Sequence, residues 1–252
     1  MNPIGAERKN THAVRTISDG EVHVWEIALD HPAINNVYLF NEVLSEDERV
    51  RASRLGLSVY RDKFVTARGY LRIILGCYLN TRPADIEFEY NEHGKPAIAA
   101  ESDRKKISFN LSHSRNLALC AVAAKCDVGI DVEYIRPVLK PEKILERFFT
   151  PGEMEYFQSR PEIMRIRAFM SLWTIKEAYS KAVGRGFSSA LKELDLSPVL
   201  SSTSPSAASI SLEESDESWT ILQIDTWNDY IAALAFKGDK PRISRFIADR
   251  SL

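Results

Sequence analysis

No stretch of this 252-residue chain is long and apolar enough to cross a bilayer as a helix, which takes about 20 predominantly apolar residues in a row. Cysteine is scarce as well. Cys77, Cys120 and Cys126 are odd in number, sit among apolar residues and lack the spacing of zinc ligands, so neither a disulfide scaffold nor a zinc module is expected. Neither sign of charge dominates. With 33 Lys and Arg against 35 Asp and Glu, the formal net charge is -2, which excludes a global grip on nucleic acid or an anionic membrane. Any basic site has to be local. Residues Met1 to Thr16 are polar and lack the apolar core of a secretory signal. A reduced, soluble, cytoplasmic protein is the expectation, long enough to bury a core as one large domain or two small ones.

What is present reads as mixed α and β structure. Val22 to Leu29 alternates as a strand, Ser45-Glu46-Asp47-Glu48 has the S-x-x-E form of a capping box, and Tyr60 to Leu79 carries apolar residues at helical spacing. A turn at Asn91 to Pro96 precedes two apolar runs, Ile107 to Leu111 and Leu117 to Ala123, joined by the polar stretch Ser112 to Asn116. That order then recurs loosely. A strand at Val128 to Tyr134 is followed by helix starts at Pro141 and Thr150-Pro151 and a long helix from about Met164 to Val183. Strands at Trp219 to Ile224 and Tyr230 to Phe236 come last. Residues 1–19 read as a tail, 20–126 and 127–252 as two α+β halves, and Leu200 to Ser218 as a solvated serine-rich loop.

Strand residues two apart share a face, so Asp131 and Glu133 point the same way from an otherwise apolar strand. Like charges held side by side call for a cation or a proton between them, unless the strand end simply reaches solvent. On the long helix Trp173, Glu177 and Lys181 lie one turn apart on one face. They form either an ordinary Glu-to-Lys surface pair or a carboxylate and an ammonium held together for chemistry. Mg²⁺ takes oxygen ligands and leaves places for water and phosphate, so Asp131, Glu133 and Glu177 would make a partial cage open to a pyrophosphate. Lys181 would then offset charge on a phosphoryl group in flight.

Four segments carry a resemblance: Phe109-Asn110-Leu111-Ser112-His113-Ser114, Val128-Gly129-Ile130-Asp131-Val132-Glu133, Phe148-Phe149-Thr150-Pro151-Gly152-Glu153, and Trp173 to Gly186 with its Trp-Thr-Ile-Lys-Glu-Ala-Tyr-Ser-Lys core. In this order they resemble the motifs of the surfactin-type 4'-phosphopantetheinyl transferases, with further likeness at Ser45 to Ala52, Arg68 and Gly94-Lys95-Pro96. The resemblance implies an α+β fold of two similar halves related by a pseudo-twofold axis, acting as a monomer with coenzyme A held between the halves. It implies Asp131, Glu133 and Glu177 as Mg²⁺ ligands and Lys181 as the lysine at the reacting phosphate. Lys95, Ser112 and His113 match positions that hold the nucleotide end of coenzyme A, with Arg51 and Arg68 as partners for its phosphates.

The implied reaction is attack by a serine hydroxyl of an apo acyl or peptidyl carrier protein on the β-phosphorus of coenzyme A, releasing adenosine 3',5'-bisphosphate. Glu153 has two readings: the base that takes the serine proton, or the second half of a T-x-x-E capping box begun by Thr150. Phe148 and Phe149 are either part of a carrier-protein surface or core. A Mg²⁺-dependent phosphohydrolase and a non-catalytic module that binds coenzyme A or a carrier are the competing functions. Neither nucleic acid nor membrane is expected as a partner.

Overall fold

The two most apolar runs of the chain, Leu117–Ala124 and Tyr230–Lys237, each become an inner strand of a four-stranded sheet. An inner strand pairs its backbone on both sides, so alanine, valine and leucine are buried there without stranding a polar group. The computed structural model describes residues 14–30, 37–99, 106–185, 194–200, 208–211, 218–249 and 252. In chain order its elements are β1 (Glu21–Ala28), α1 (Val37–Val43), α2 (Glu46–Ser53), α3 (Ser58–Leu79), β2 (Phe88–Tyr90), β3 (Pro96–Ile98), β4 (Ile107–Ser114) and β5 (Leu117–Ala124). There follow β6 (Val128–Tyr134), α4 (Pro141–Phe148), α5 (Pro151–Ser159), α6 (Glu162–Val183), α7 (Ser197–Leu200), β7 (Ala208–Ser211), β8 (Ser218–Ile224), β9 (Tyr230–Lys237) and β10 (Arg242–Ala248).

These elements separate into two units. The first takes the described residues up to Glu89, then 96–125 and 242 onward; the second takes 90–95 and 126–241. In the first, the sheet order is β10-β1-β5-β4, with β1 antiparallel to β5 and parallel to β10. Trp25 and Ile27 of β1 and Phe109 of β4 share one core with Leu71, Ile74, Leu75 and Tyr78 of α3. Burying a side chain of that size contributes about 1.5–3 kcal/mol, so this face of α3 anchors the unit. The helix stops at Asn80, which takes the left-handed conformation (φ 56°) and donates its N–H to Gly76 O.

In the second unit the order is β6-β9-β8-β7, all antiparallel, and α6 lies on β6 and β9. Phe169, Met170, Leu172 and Tyr179 of α6 pack with Trp219, Ile221, Ala233 and Ala235 of the sheet. The two units share a plan, each with one strand, three helices ending in one of 22 residues, and then a hairpin whose second strand pairs with the first. The chain is thus α+β.

Three sequence expectations need correction. Ser112, His113 and Ser114 are the end of β4, not a connection: opposite them stand Leu119, Ala118 and Leu117 of β5, and the strand tolerates polar residues because the backbone ladder, not the side chains, makes the pairing. Within the serine-rich stretch, Ala208–Ser211 pairs with β8 as an edge strand, while 201–207 and 212–217 lie outside the described residues. Residues 242–248, read with the second half, form β10, which runs beside β1 in register from Glu21↔Arg242 to Ile27↔Ala248.

Candidate functional site

Asp131 and Glu133 stand on β6, across from Ala233 and Ile231 of β9. What lies over that face is set by Gly129, two residues earlier on the same side. A Cβ placed there would meet Ala178 O at 2.1 Å and Ala182 N at 2.4 Å, so only glycine lets the backbone of α6 come this close. One strand step further, Asp131 meets the side chains of the same helix. Its Oδ1 accepts a 2.6 Å hydrogen bond from Lys181 Nζ, with Asp131 almost fully buried and Lys181 about one-third exposed. Gly129→Ala should therefore push α6 off β6, costing about 1–3 kcal/mol by overpacking. Far-UV circular dichroism during thermal melting checks this; an unchanged melting temperature would show that the strand and helix can shift freely.

Glu177, one turn before Lys181, has its carboxyl pushed up to about 7. Burial is the main cause, with the Asp131 charge next; Lys181 pulls the other way and Glu133 adds a little more repulsion. The three carboxylates thus share one electrostatic neighbourhood. Among the described residues no group of three or more His, Cys, Asp or Glu is gathered tightly enough to enclose a metal ion. The donor set is nonetheless of the right kind for Mg²⁺: hard carboxylate oxygens whose mutual repulsion a cation would relieve.

Trp173 occupies the same face of α6 one turn earlier, its ring stacked on Phe169 at 6.1 Å and edge-on to Phe148 at 6.5 Å. Phe149 is buried and Phe148 half-buried against the same core, so both belong to packing.

Glu153 is completely buried, and its hydrogen bonds and ion pair among the described residues are structural in kind. Oε2 accepts the Thr150 backbone N–H at 2.8 Å and pairs with Lys176 Nζ at 2.9 Å, while Oε1 accepts the Leu196 N–H at 2.9 Å. Thr150 Oγ1 returns the capping bond from Glu153 N–H. Lys176, also fully buried, donates to Leu194 O at 2.7 Å. Burial pulls the Lys176 ammonium below its ordinary value, with Glu153 opposing. The T-x-x-E pattern was legible in the sequence; Lys176 as its ion partner was not, because the pairing joins two helices through tertiary packing.

Lys95 lies in the turn after β2. Its Nζ donates to Ala182 O at 2.5 Å and stands 3.6 Å from Asp127, while Asn91 Nδ2 donates to Gly184 O at 2.9 Å. The turn therefore holds the carboxyl end of α6, where carbonyls lack intrahelical partners and Gly184 (φ 69°) ends the helix. Burial lowers the Lys95 pKa, against the pull of Asp127.

The remaining candidates belong to the first unit. Ser112 is buried and His113 exposed near the end of β4. Arg51 is exposed on α2, its guanidinium 5.4 Å from the Phe64 ring. Arg68, expected at a phosphate, already has an anion: its Nε donates to Glu48 Oε1 at 2.6 Å, and Arg72 Nε donates to Glu48 Oε2 at 2.5 Å. Glu48 also accepts the Ser45 N–H as the predicted capping box requires. Sequence reading missed Glu48 as the counter-ion, although its place in the capping box marks it as turned back towards the helix start.

Comparison with known proteins gives the family. The family model of the 4'-phosphopantetheinyl transferase superfamily matches residues 127–235, which include Gly129, Asp131, Glu133, Glu153, Glu177 and Lys181. A 4'-phosphopantetheinyl transferase of Nostoc sp., HetI, is 38% identical over 223 residues, covering 88% of this chain and 90% of the relative. The 4'-phosphopantetheinyl transferase gsp of Aneurinibacillus migulanus is 34% identical over 59% of this chain and 65% of its own. Sfp of Bacillus subtilis, of the same activity, is 27% identical over 59% and 64%. With a strand glycine that seats α6, a buried aspartate bound to Lys181 and a match to HetI along nearly its whole length, the chain belongs to the 4'-phosphopantetheinyl transferase superfamily.

Proposed function

We propose that this chain carries out its family's reaction, transfer of the 4'-phosphopantetheine arm of coenzyme A to a serine of an apo carrier protein, through the cluster Asp131, Glu133, Glu177 and Lys181. The observation that carries the reading is the coupling of a buried aspartate, a carboxyl raised to about 7 and an ammonium 2.6 Å from that aspartate. Asp131, Glu133 and Glu177 would hold Mg²⁺, which when bound supplies positive charge to the pyrophosphate. Lys181, partly exposed, offsets charge on the phosphate as its bond to the leaving bisphosphate breaks. Ser112 and His113 are proposed to bind the nucleotide end of coenzyme A, with Arg51 at its phosphates. The contacts of Lys95 and Arg68 favour a different part, in which they hold α6 and Glu48 in place. The enclosure of Glu153 supports the cap and ion-pair reading over the base. Free thiols at Cys77, Cys120 and Cys126 support work in the cytosol, and the chain is proposed to act as a monomer.

The test is incubation with coenzyme A, Mg²⁺ and a panel of apo carrier proteins, read by intact mass. A gain of one phosphopantetheine on a carrier, absent with EDTA, is expected. Consumption of coenzyme A with the carriers unchanged would turn the reading to a phosphohydrolase. Binding of coenzyme A with no reaction on any carrier would make the chain a binding module.

Within this reading Lys181 should matter more to turnover than to binding, because its charge is needed most as the phosphate bond breaks. Lys181→Ala is expected to lower kcat on the order of 10²-fold or more, the scale of losing one aimed electrostatic group, with a modest rise in KM for coenzyme A. Steady-state kinetics decide it, and a large KM effect at unchanged kcat would make Lys181 a binding residue.

A further inference from the structure

The first unit contains a cavity of about 430 Å³ that shares no residue with the candidate site groups described above. Ile17 and Arg15 line it ahead of β1, Tyr78 from the end of α3, and Ile107 from the start of β4. Ser112 and His113 lie five and six positions further along the same strand, about 17–20 Å away at the rise of a β-strand. The cavity is therefore separate from the candidate coenzyme A residues of β4.

Its wall carries three cations, Arg15, Lys106 and Lys125, against one acid, Asp19. Lys125 engages that acid at 3.0 Å. Lys106 and Lys125 both have left-handed backbone (φ 52° and 56°), and the Lys125 N–H donates to Lys106 O at 2.8 Å, which fixes the two exposed lysines side by side. Arg15 is held more tightly. Its guanidinium lies 4.6 Å from the ring centre of Trp25 and 4.3 Å from that of Phe246, and its own N–H is bonded to Cys77 O. Nε and Nη2 are enclosed there with no acceptor among the described residues. Two aromatic faces stabilise a guanidinium as a charge but accept none of its in-plane hydrogen bonds. Arg15 nonetheless lines the cavity beside the two lysines, where its charge attracts an anion. The rest of the wall is Thr16 and the apolar Ile17, Ile107, Ala124 and body of Tyr78.

We propose that this cavity is a binding site for a small organic anion, its charged end directed to Arg15, Lys106 and Lys125 and its apolar body against Ile17, Ile107 and Tyr78. A few convergent polar groups on a mostly apolar wall of this size is the usual make-up of a small-molecule site. The site lies outside the Asp131, Glu177 and Lys181 cluster, so occupancy does not depend on the transfer chemistry.

Trp25 provides a local reporter, because its indole N–H donates to Tyr78 OH at 3.0 Å behind the cavity wall. The full chain, labelled with ¹⁵N, is titrated with hexanoate, with 1-hexanol and with inorganic phosphate, and the Trp25 indole signal is identified by its loss in Trp25→Phe. Hexanoate is expected to shift that signal saturably, with hexanol and phosphate at least tenfold weaker. Arg15→Gln should weaken the hexanoate response at least tenfold, and Glu177→Gln should leave it unchanged. Should Arg15→Gln fail to fold, the exposed pair Lys106→Glu with Lys125→Glu serves the same end and should also weaken hexanoate. No shift with hexanoate, an equal response to hexanol or to phosphate, or a response that survives both sets of variants would overturn the proposal.

Discussion

Glu177→Gln is expected to abolish carrier modification and at the same time to make the metal-free protein more stable above neutral pH. The first effect follows if the carboxylate holds the cation, since an amide brings no charge to that task. The second follows from the direction of its titration. Glu177 is raised from an ordinary 4.5 to about 7 in the folded chain, so the native state holds a proton that the unfolded state releases. Stability is therefore lost as pH climbs from 4.5 towards 7 and stays lost above it. A shift of that size is worth on the order of 3 kcal/mol, and glutamine, which never ionises, avoids the loss. For a chain of this length the variant should melt about 5–10 °C above wild type at pH 8, with the gap closing towards pH 5. Excess Mg²⁺ should reverse the order, raising the melting temperature of wild type and not of the variant. Scanning calorimetry at the two pH values, with and without Mg²⁺, is the measurement. A pH-independent gap would mean that neither burial nor the Asp131 charge raises Glu177, and full transfer by the variant would remove the metal site. Asp131→Ala should also stop transfer but bring no such gain, because it strips Lys181 of its 2.6 Å partner.

Breaking the Glu153–Lys176 pair should produce the largest loss of stability. Both side chains are fully buried, so removing one leaves a charge enclosed without its counter-ion, a defect that costs about 3–5 kcal/mol. Glu153→Gln and Lys176→Met should each lower the melting temperature by roughly 6–20 °C, at 2–4 °C per kcal/mol. The double variant Glu153→Met with Lys176→Met should recover much of that, because no charge remains to be enclosed, and the cycle of four proteins isolates the pair. From the capping box alone, Glu153→Gln would be nearly silent in stability, since an amide oxygen still accepts the Thr150 N–H. Lys176 changes that expectation. Turnover separates the two roles of Glu153: assayed at a temperature where the variant is fully folded, Glu153→Gln should keep kcat within a few-fold of wild type. A loss on the order of 10²–10⁴ with the fold intact would restore it as the base.

Periodicity and capping were enough to place β1, α2, α3, β6, α4, α5, α6, β8 and β9, because each is specified by neighbours within a few residues in the chain. The same local rules put Asp131 with Glu133, and Glu177 with Lys181, on common faces. Elements without a local signature were missed. β10 is a half-exposed strand of mixed polarity whose place depends on the edge that β1 offers it, and β7 is a four-residue edge strand in a serine-rich stretch. The sequence by itself therefore determined the helices, the strand faces and the motifs that point to the family. Tertiary structure alone decided which charges meet: Lys181 with Asp131, Lys176 with Glu153, Arg68 and Arg72 with Glu48, and Lys95 with the end of α6. In these pairs the partners lie far apart in the chain, so neither carries a record of the other in its own neighbourhood. The pairing is set by which backbones can approach, as at Gly129, and by the need of every buried charge to find an opposite one.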